Sequence, residues 1–184
     1  MSRTNYTCKF IWRLITPDVA AGANKVFFDL FNASSATVNT GNRVVISSVK
    51  AVVAGDVAVT GVVGLNLHLH KTTAVGTGGT AATLQGTVNT AATISSVTPA
   101  PGGLPAGITA RLAPSGGATI GAWLSQLSCF TEETSSGAYQ EYWLHDTSQE
   151  PIVIGQGEGI KVIQGTVASV GNIGFMVEFG IIEQ

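Results

Sequence analysis

Apolar positions along this chain recur at every second residue. The segment 60–70, TGVVGLNLHLH, shows the pattern best, with Leu65, Leu67 and Leu69 alternating with Asn66, His68 and His70. Successive side chains of a strand point to opposite faces, so the leucines are expected to face inward and the histidines to lie on the polar face, towards solvent or another subunit. Residues 25–31 (KVFFDLF), 43–53 (RVVISSVKAVV), 122–130 (AWLSQLSCF), 161–164 (KVIQ) and 174–182 (GFMVEFGII) read as strands too. So does 139–145, where Tyr139, Glu141, Trp143 and His145 are expected on one face and Gln140, Tyr142 and Leu144 on the other. β-Branched and aromatic residues are frequent in these runs because they fit a pleated surface.

Turn residues punctuate the runs: Thr40-Gly41-Asn42, Ala54-Gly55-Asp56 and Val170-Gly171-Asn172. Gly155-Gln156-Gly157-Glu158-Gly159 separates Pro151-Ile152-Val153-Ile154 from Ile160-Lys161-Val162-Ile163 and suits a hairpin loop, because glycine reaches positive φ without steric cost. Many short strands with regular turns and little helix predict one all-β domain over 1–184, an antiparallel β-sandwich of jelly-roll-like form with about eight to ten strands. Residues 72–121 break the rhythm. They are rich in Thr, Ala, Gly, Ser and Pro, and Pro99, Pro101 and Pro105 argue against a central strand there. Such a stretch is expected as long loops, reaching over the surface or onto a neighbour. The first residues, 1–23, carry Tyr6, Phe10, Ile11, Trp12 and Leu14 with Lys9 and Arg13 interleaved, and suit a first strand or an arm that docks on another subunit.

Composition narrows the uses of such a fold. Only 11% of the 184 residues are charged, against roughly 25% in ordinary soluble proteins, so the surface is built from Thr, Ser, Asn, Gly and Ala. The net charge of −2 gives no basic footprint for nucleic acid. Abundant Val and Ile exclude a disordered chain. Lys9 and Arg13 interrupt the apolar residues near the start, so no signal peptide is expected, and no run of ~18 apolar residues suggests a membrane span. Cys8 and Cys129 read as small buried hydrophobes, with a disulfide the alternative if the fold brings them together.

Candidate chemistry is sparse. His68 and His70 put two imidazoles on one strand face, a geometry that can hold a metal, with His145 as the one further histidine. Jelly-roll metalloenzymes of the cupin type follow His-x-His closely with a glutamate; here no acid follows His70 before Glu132. No metal site, cofactor site or catalytic set is therefore expected. Gly76 to Gly79 (GTGG) and Gly155-x-Gly157-x-Gly159 lack the strand-turn-helix setting of a phosphate-binding loop and read as turns. Glu132-Glu133 reads as a solvated loop pair, or as acids meeting a basic partner in an assembly. Glu141, Asp146 and Glu150 lie near Tyr142 and Trp143, a mixture that can bind a sugar or simply mark core aromatics on a strand.

Four segments carry a family resemblance. Residues 104–124 (LPAGITARLAPSGGATIGAWL), 25–34 (KVFFDLFNAS), 71–81 (KTTAVGTGGTA) and 157–179 (GEGIKVIQGTVASVGNIGFMVEF) resemble small virion structural proteins of tailed bacteriophages. The resemblance implies a non-enzymatic capsid decoration or cement protein in the virion, assembled in the host cytoplasm. Its implied partners are the major capsid protein and further copies of itself, most simply as a homotrimer, with neither nucleic acid nor membrane. No residue set is carried over. The alternatives are a tail or fibre component, a glycan-binding module using Trp143 and Tyr142, and, last, a cupin-like metalloenzyme using His68, His70 and His145.

Overall fold

The computed structural model describes residues 10–17, 19–33, 42–54, 63–82, 84–90, 93–97, 107–115, 123–131, 140–166 and 171–182. Every regular element among them is a strand. In chain order these are β1 (Phe10–Ile15), β2 (Val19–Ala20), β3 (Val26–Asn32), β4 (Arg43–Ala54), β5 (Val63–Thr72), β6 (Thr80–Ala81) and β7 (Leu84–Thr90). They continue with β8 (Thr93–Val97), β9 (Ile108–Leu112), β10 (Ser125–Thr131), β11 (Gln140–His145), β12 (Ile152–Ile154), β13 (Glu158–Gln164) and β14 (Asn172–Ile182).

The strands form two antiparallel sheets. The first runs β11-β4-β14-β1-β7-β8, with β12 also on β4 and β2 on β14; the second runs β10-β5-β13-β3-β9-β6. Four pairings are nested: β1 with β14, β3 with β13, β4 with β11 and β5 with β10. The chain is thus doubled back into a long ribbon whose strand pairs fall in alternate sheets. This doubling is why contacts such as Arg13 with Glu178 join the two ends of the sequence.

The alternating leucines set the core. Leu65, Leu67 and Leu69 of β5 are buried, as are Phe28 and Leu30 of β3 and Ile160 and Val162 of β13. Trp12 and Leu14 of β1, Val49 and Ala51 of β4, and Phe175, Val177 and Phe179 of β14 meet them from the other sheet. Phe175 touches Phe27 and Phe28, with ring centroids 5.0 and 5.5 Å away. Two consecutive residues cannot face one side of a regular strand. The register of β3 against β13 shifts between Val162 and Ile163, leaving Phe27 as the extra residue, and this bulge turns both rings inward.

Three expectations need correction. The segment 155–159 is not a hairpin loop: β12 pairs with β4 in the first sheet and β13 with β3 and β5 in the second, so the turn carries the chain from one layer to the other. Two of its glycines are still required. Gly157 has φ of 74°, and a Cβ on Gly159 would stand 2.6 Å from the Leu30 carbonyl oxygen and 2.8 Å from Thr72 Oγ1. Secondly, residues 72–121 are not loop throughout, since they contribute β6, β7, β8 and β9, which widen both sheets. Thirdly, His145 does not share the face of Glu141 and Trp143. A register shift between Trp143 and His145 sets it opposite Val49, an inward position of β4, where it is buried. At the start of the chain, β1 lies between β14 and β7 in the first sheet; residues 1–9 lie outside the described residues.

Candidate functional site

The outer face of the second sheet is built from the residues that alternate with the core leucines. His70 of β5 stands opposite Lys161 of β13, Lys161 opposite Asp29 of β3, and Asp29 opposite Arg111 of β9. One row of four strands therefore carries an imidazole, an ammonium, a carboxylate and a guanidinium. His68, one step along β5, faces Ile163 and Gln126 of β10. The polar face is not open to solvent as alternation suggests: Asp29, His68, His70 and Lys161 are all buried.

Two pieces of chain provide the cover. The segment after β5 folds back so that the Gly76 N–H donates to Asp29 Oδ2. The Arg111 guanidinium donates to the Gly78 carbonyl (2.9 Å), and the Ser115 N–H to the Thr77 carbonyl (2.8 Å). GTGG is therefore a strap rather than a phosphate cradle, its first amide already committed to a carboxylate. Gly78 and Gly79 both adopt positive φ, and Gly79 passes so close to β9 that a Cβ would meet the Leu112 carbonyl oxygen at 2.2 Å. On the other side, Trp123 lies flat on His68, with ring centroids 3.8 Å apart and planes 21° apart, and edge-on to His70 at 5.9 Å.

Burial governs the charges here. Desolvation pushes the His68 and His70 imidazoles below their ordinary range, and the neighbouring His68 and Lys161 charges lower His70 further. Burial raises Asp29 against the opposing hydrogen bonds from the Gly76 and Arg111 amides and the charges of Arg111 and Lys161. Lys161 is lowered by burial, with Asp29 pulling the other way. His68 Nε2, His70 Nδ1 and Asp29 Oδ1 are buried without a hydrogen-bond partner.

The three histidines do not assemble. His68 and His70 sit in the second sheet with ring centroids 6.0 Å apart, while His145 ends β11 in the first. Among the described residues no group of three His, Cys, Asp or Glu side chains could hold a metal ion. His145 is lowered by burial, against the opposing influence of Asp146 and Gln149.

The aromatic and acidic cluster divides as well. Tyr142 packs against the core, whereas Trp143 is 49% exposed on the outer face of the first sheet. Lys50 Nζ lies 5.3 Å from the Trp143 ring centre and 2.9 Å from Glu141 Oε1. In register, Trp143, Lys50, Met176 and Ile15 form a row across β11, β4, β14 and β1, and Ile15 is 47% exposed. Asp146 closes its own turn through Ser148, whose hydroxyl and amide bonds lower its pKa, and Glu150 is exposed. Cys129 lies on β10 opposite Leu65. Cys8, Glu132, Glu133 and Tyr139 fall outside the described residues, as does the Cys129 side chain.

The buried charged row was not anticipated from the sequence, although signals for it exist. Asp29 sits in the middle of KVFFDLF and Lys161 in the middle of GIKVI. A run that is apolar at nearly every position around a lone charge is the pattern of a strand covered on both faces. Comparison with family models, with curated proteins and with solved structures found no match.

Proposed function

We propose that this chain is a structural subunit of a tailed-phage virion, binding the capsid exterior as a decoration or cement protein. The carrying observation is that both outer faces of the sandwich hold large apolar side chains half in water. Trp123 (50%) and Leu124 (43%) lie on one, and Trp143 (49%) and Ile15 (47%) on the other. Exposed tryptophans in contact with structured neighbours are typical anchors of protein interfaces. A subunit with an anchor on each face can meet a partner on both sides at once.

The nested strand pairing supports a jelly-roll reading of the sandwich, since two intertwined Greek keys give this order of sheets. The low charge supports burial by area, because desolvating Thr, Ala and Gly costs less than desolvating charges. Closed symmetry, most simply a homotrimer, would limit the association. The major capsid protein is the proposed partner. With a net charge of −2, nucleic acid is not. The role is taken as non-enzymatic, as the family resemblance implies. The glycan-binding alternative loses Tyr142 to the core and keeps a single platform at Trp143.

Antibody labelling of intact particles bearing this chain tests the reading. Label distributed over the head is expected. Label confined to the tail would replace the proposal with a tail or fibre component, and a chain absent from purified particles would end it.

A further inference from the structure

The outer face of the second sheet has a feature that passive docking does not require. Two imidazoles are buried under one indole, each with one ring nitrogen that has no hydrogen-bond partner. His68 and His70 are 9% and 8% exposed, and His68 Nε2 and His70 Nδ1 have no hydrogen-bond partner. A satisfied core histidine would direct each ring nitrogen at a donor or acceptor. Here Trp123 covers both rings instead, stacked on one and edge-on to the other. The indole is itself half in solvent, so only one of its faces is held.

We propose that His68, His70 and Trp123 form an acid-sensitive latch: protonation of the two imidazoles releases the indole from the sheet. The charged groups facing the pair set the direction. Lys161 of β13 stands opposite His70, with Asp29 of β3 and then Arg111 of β9 further along the same row, while Gln126 on β10 and Asn66 on β5 are neutral. The strap 73–79 and residues 116–122 contain no titratable side chain. The row thus holds one carboxylate and two cations before either histidine takes a proton, and the charge next to His70 is the Lys161 ammonium. Two imidazolium groups 6.0 Å apart would add two more, in a site largely covered from solvent where screening is reduced.

One effect opposes release, since an imidazolium stacked on an indole face is attracted to it. It does not prevail, because the second imidazolium and Lys161 repel the first and each new N–H lacks an acceptor unless water enters. Water enters when Trp123 leaves. The pKa directions agree: burial lowers both histidines, and burial raises Asp29, so acidification also removes the face's carboxylate charge earlier than for an ordinary aspartate. The latch is a property of the folded chain and stands apart from the reading of its partner.

Acrylamide quenching of tryptophan fluorescence, followed from about pH 8 to about pH 5 on the full chain, tests it. Quenching is expected to rise with a midpoint below about 6.5, the ordinary histidine value. The rise should be lost in Trp123→Phe and in His68→Gln/His70→Gln, and kept in His145→Gln. Proton NMR of the unmodified chain guards against a double variant that fails to fold: the His68 and His70 ring signals should titrate together with the Trp123 indole N–H. Quenching that stays flat overturns the latch. So does a rise that survives the double variant, or one that disappears with His145→Gln.

Discussion

Gly159 is a central residue of the second sheet, held between β3 and β5 with no room for a side chain. A single methyl group there would press on the backbone of β3 and on the Thr72 hydroxyl at once, and neither can withdraw without breaking strand pairing. Gly159→Ala should therefore destabilise by about 1–3 kcal/mol, the usual range for overpacking, in chemical denaturation. Gly157 makes the useful contrast. Nothing lies within 4 Å of its added Cβ, and only its φ of 74° resists, so Gly157→Ala should cost about 1–2 kcal/mol through backbone strain alone. Phe175 occupies the opposite situation, filling space between Phe27 and Phe28 from the facing sheet. Truncating it to alanine should cost about 3–5 kcal/mol by the same measurement. An effect below about 1 kcal/mol would mean that the two sheets do not meet there.

Strands were legible where alternation was clean and failed to be legible where a bulge or a second cover intervened. The runs at 25–31, 43–53, 174–182 and 161–164 reappear as β3, β4, β14 and β13 because period-two patterning fixes which face is inward. His145 and Phe27 were misplaced or unplaced by alternation because each sits at a register shift, where one extra residue reverses the faces. The strands within 72–121 leave little trace in the sequence because Thr, Ser, Gly and Ala carry little hydrophobic contrast, as in Leu84–Thr90 (LQGTVNT). The candidate site was half legible. His68 and His70 were singled out, but Trp123 as their cover was not, since nothing in local spacing says that a residue before β10 will fold back over β5.

The buried histidines give this element a pH dependence. His68, His70 and His145 all have lowered folded-state values, so the unfolded chain binds their protons more tightly. Stability should be full above about pH 6.5 and fall as pH drops through the lowered folded values. Thermal melts between about pH 7.5 and 5 should show the midpoint declining, and replacing the three histidines by glutamine should flatten the decline. Glu158 works at a lower pH. Burial tends to raise it, but the Lys71 and Gly155 hydrogen bonds and the Lys71 charge outweigh that and lower it. Its contribution is present above the unfolded carboxylate value and is lost as pH falls through the lowered one.

At the scale of the whole molecule, the outer face of the first sheet mixes ion pairs with apolar side chains: Arg13 pairs with Glu178 and Lys50 with Glu141, beside half-exposed Trp143 and Ile15. Substituting Ile15→Ser and Trp143→Ser together should cost about 1–3 kcal/mol of folding stability, because each side chain is only half buried, yet abolish or weaken association wherever the first sheet's outer face is buried. Sedimentation velocity of the unmodified chain at micromolar concentration, in low salt and in about 1 M salt, tests the central claim of assembly through uncharged area most directly. Exposed ion pairs are screened within roughly 3 Å at that ionic strength, whereas apolar contacts persist. A discrete oligomer of the same size in both conditions is the predicted result. A monomer in either condition would contradict it.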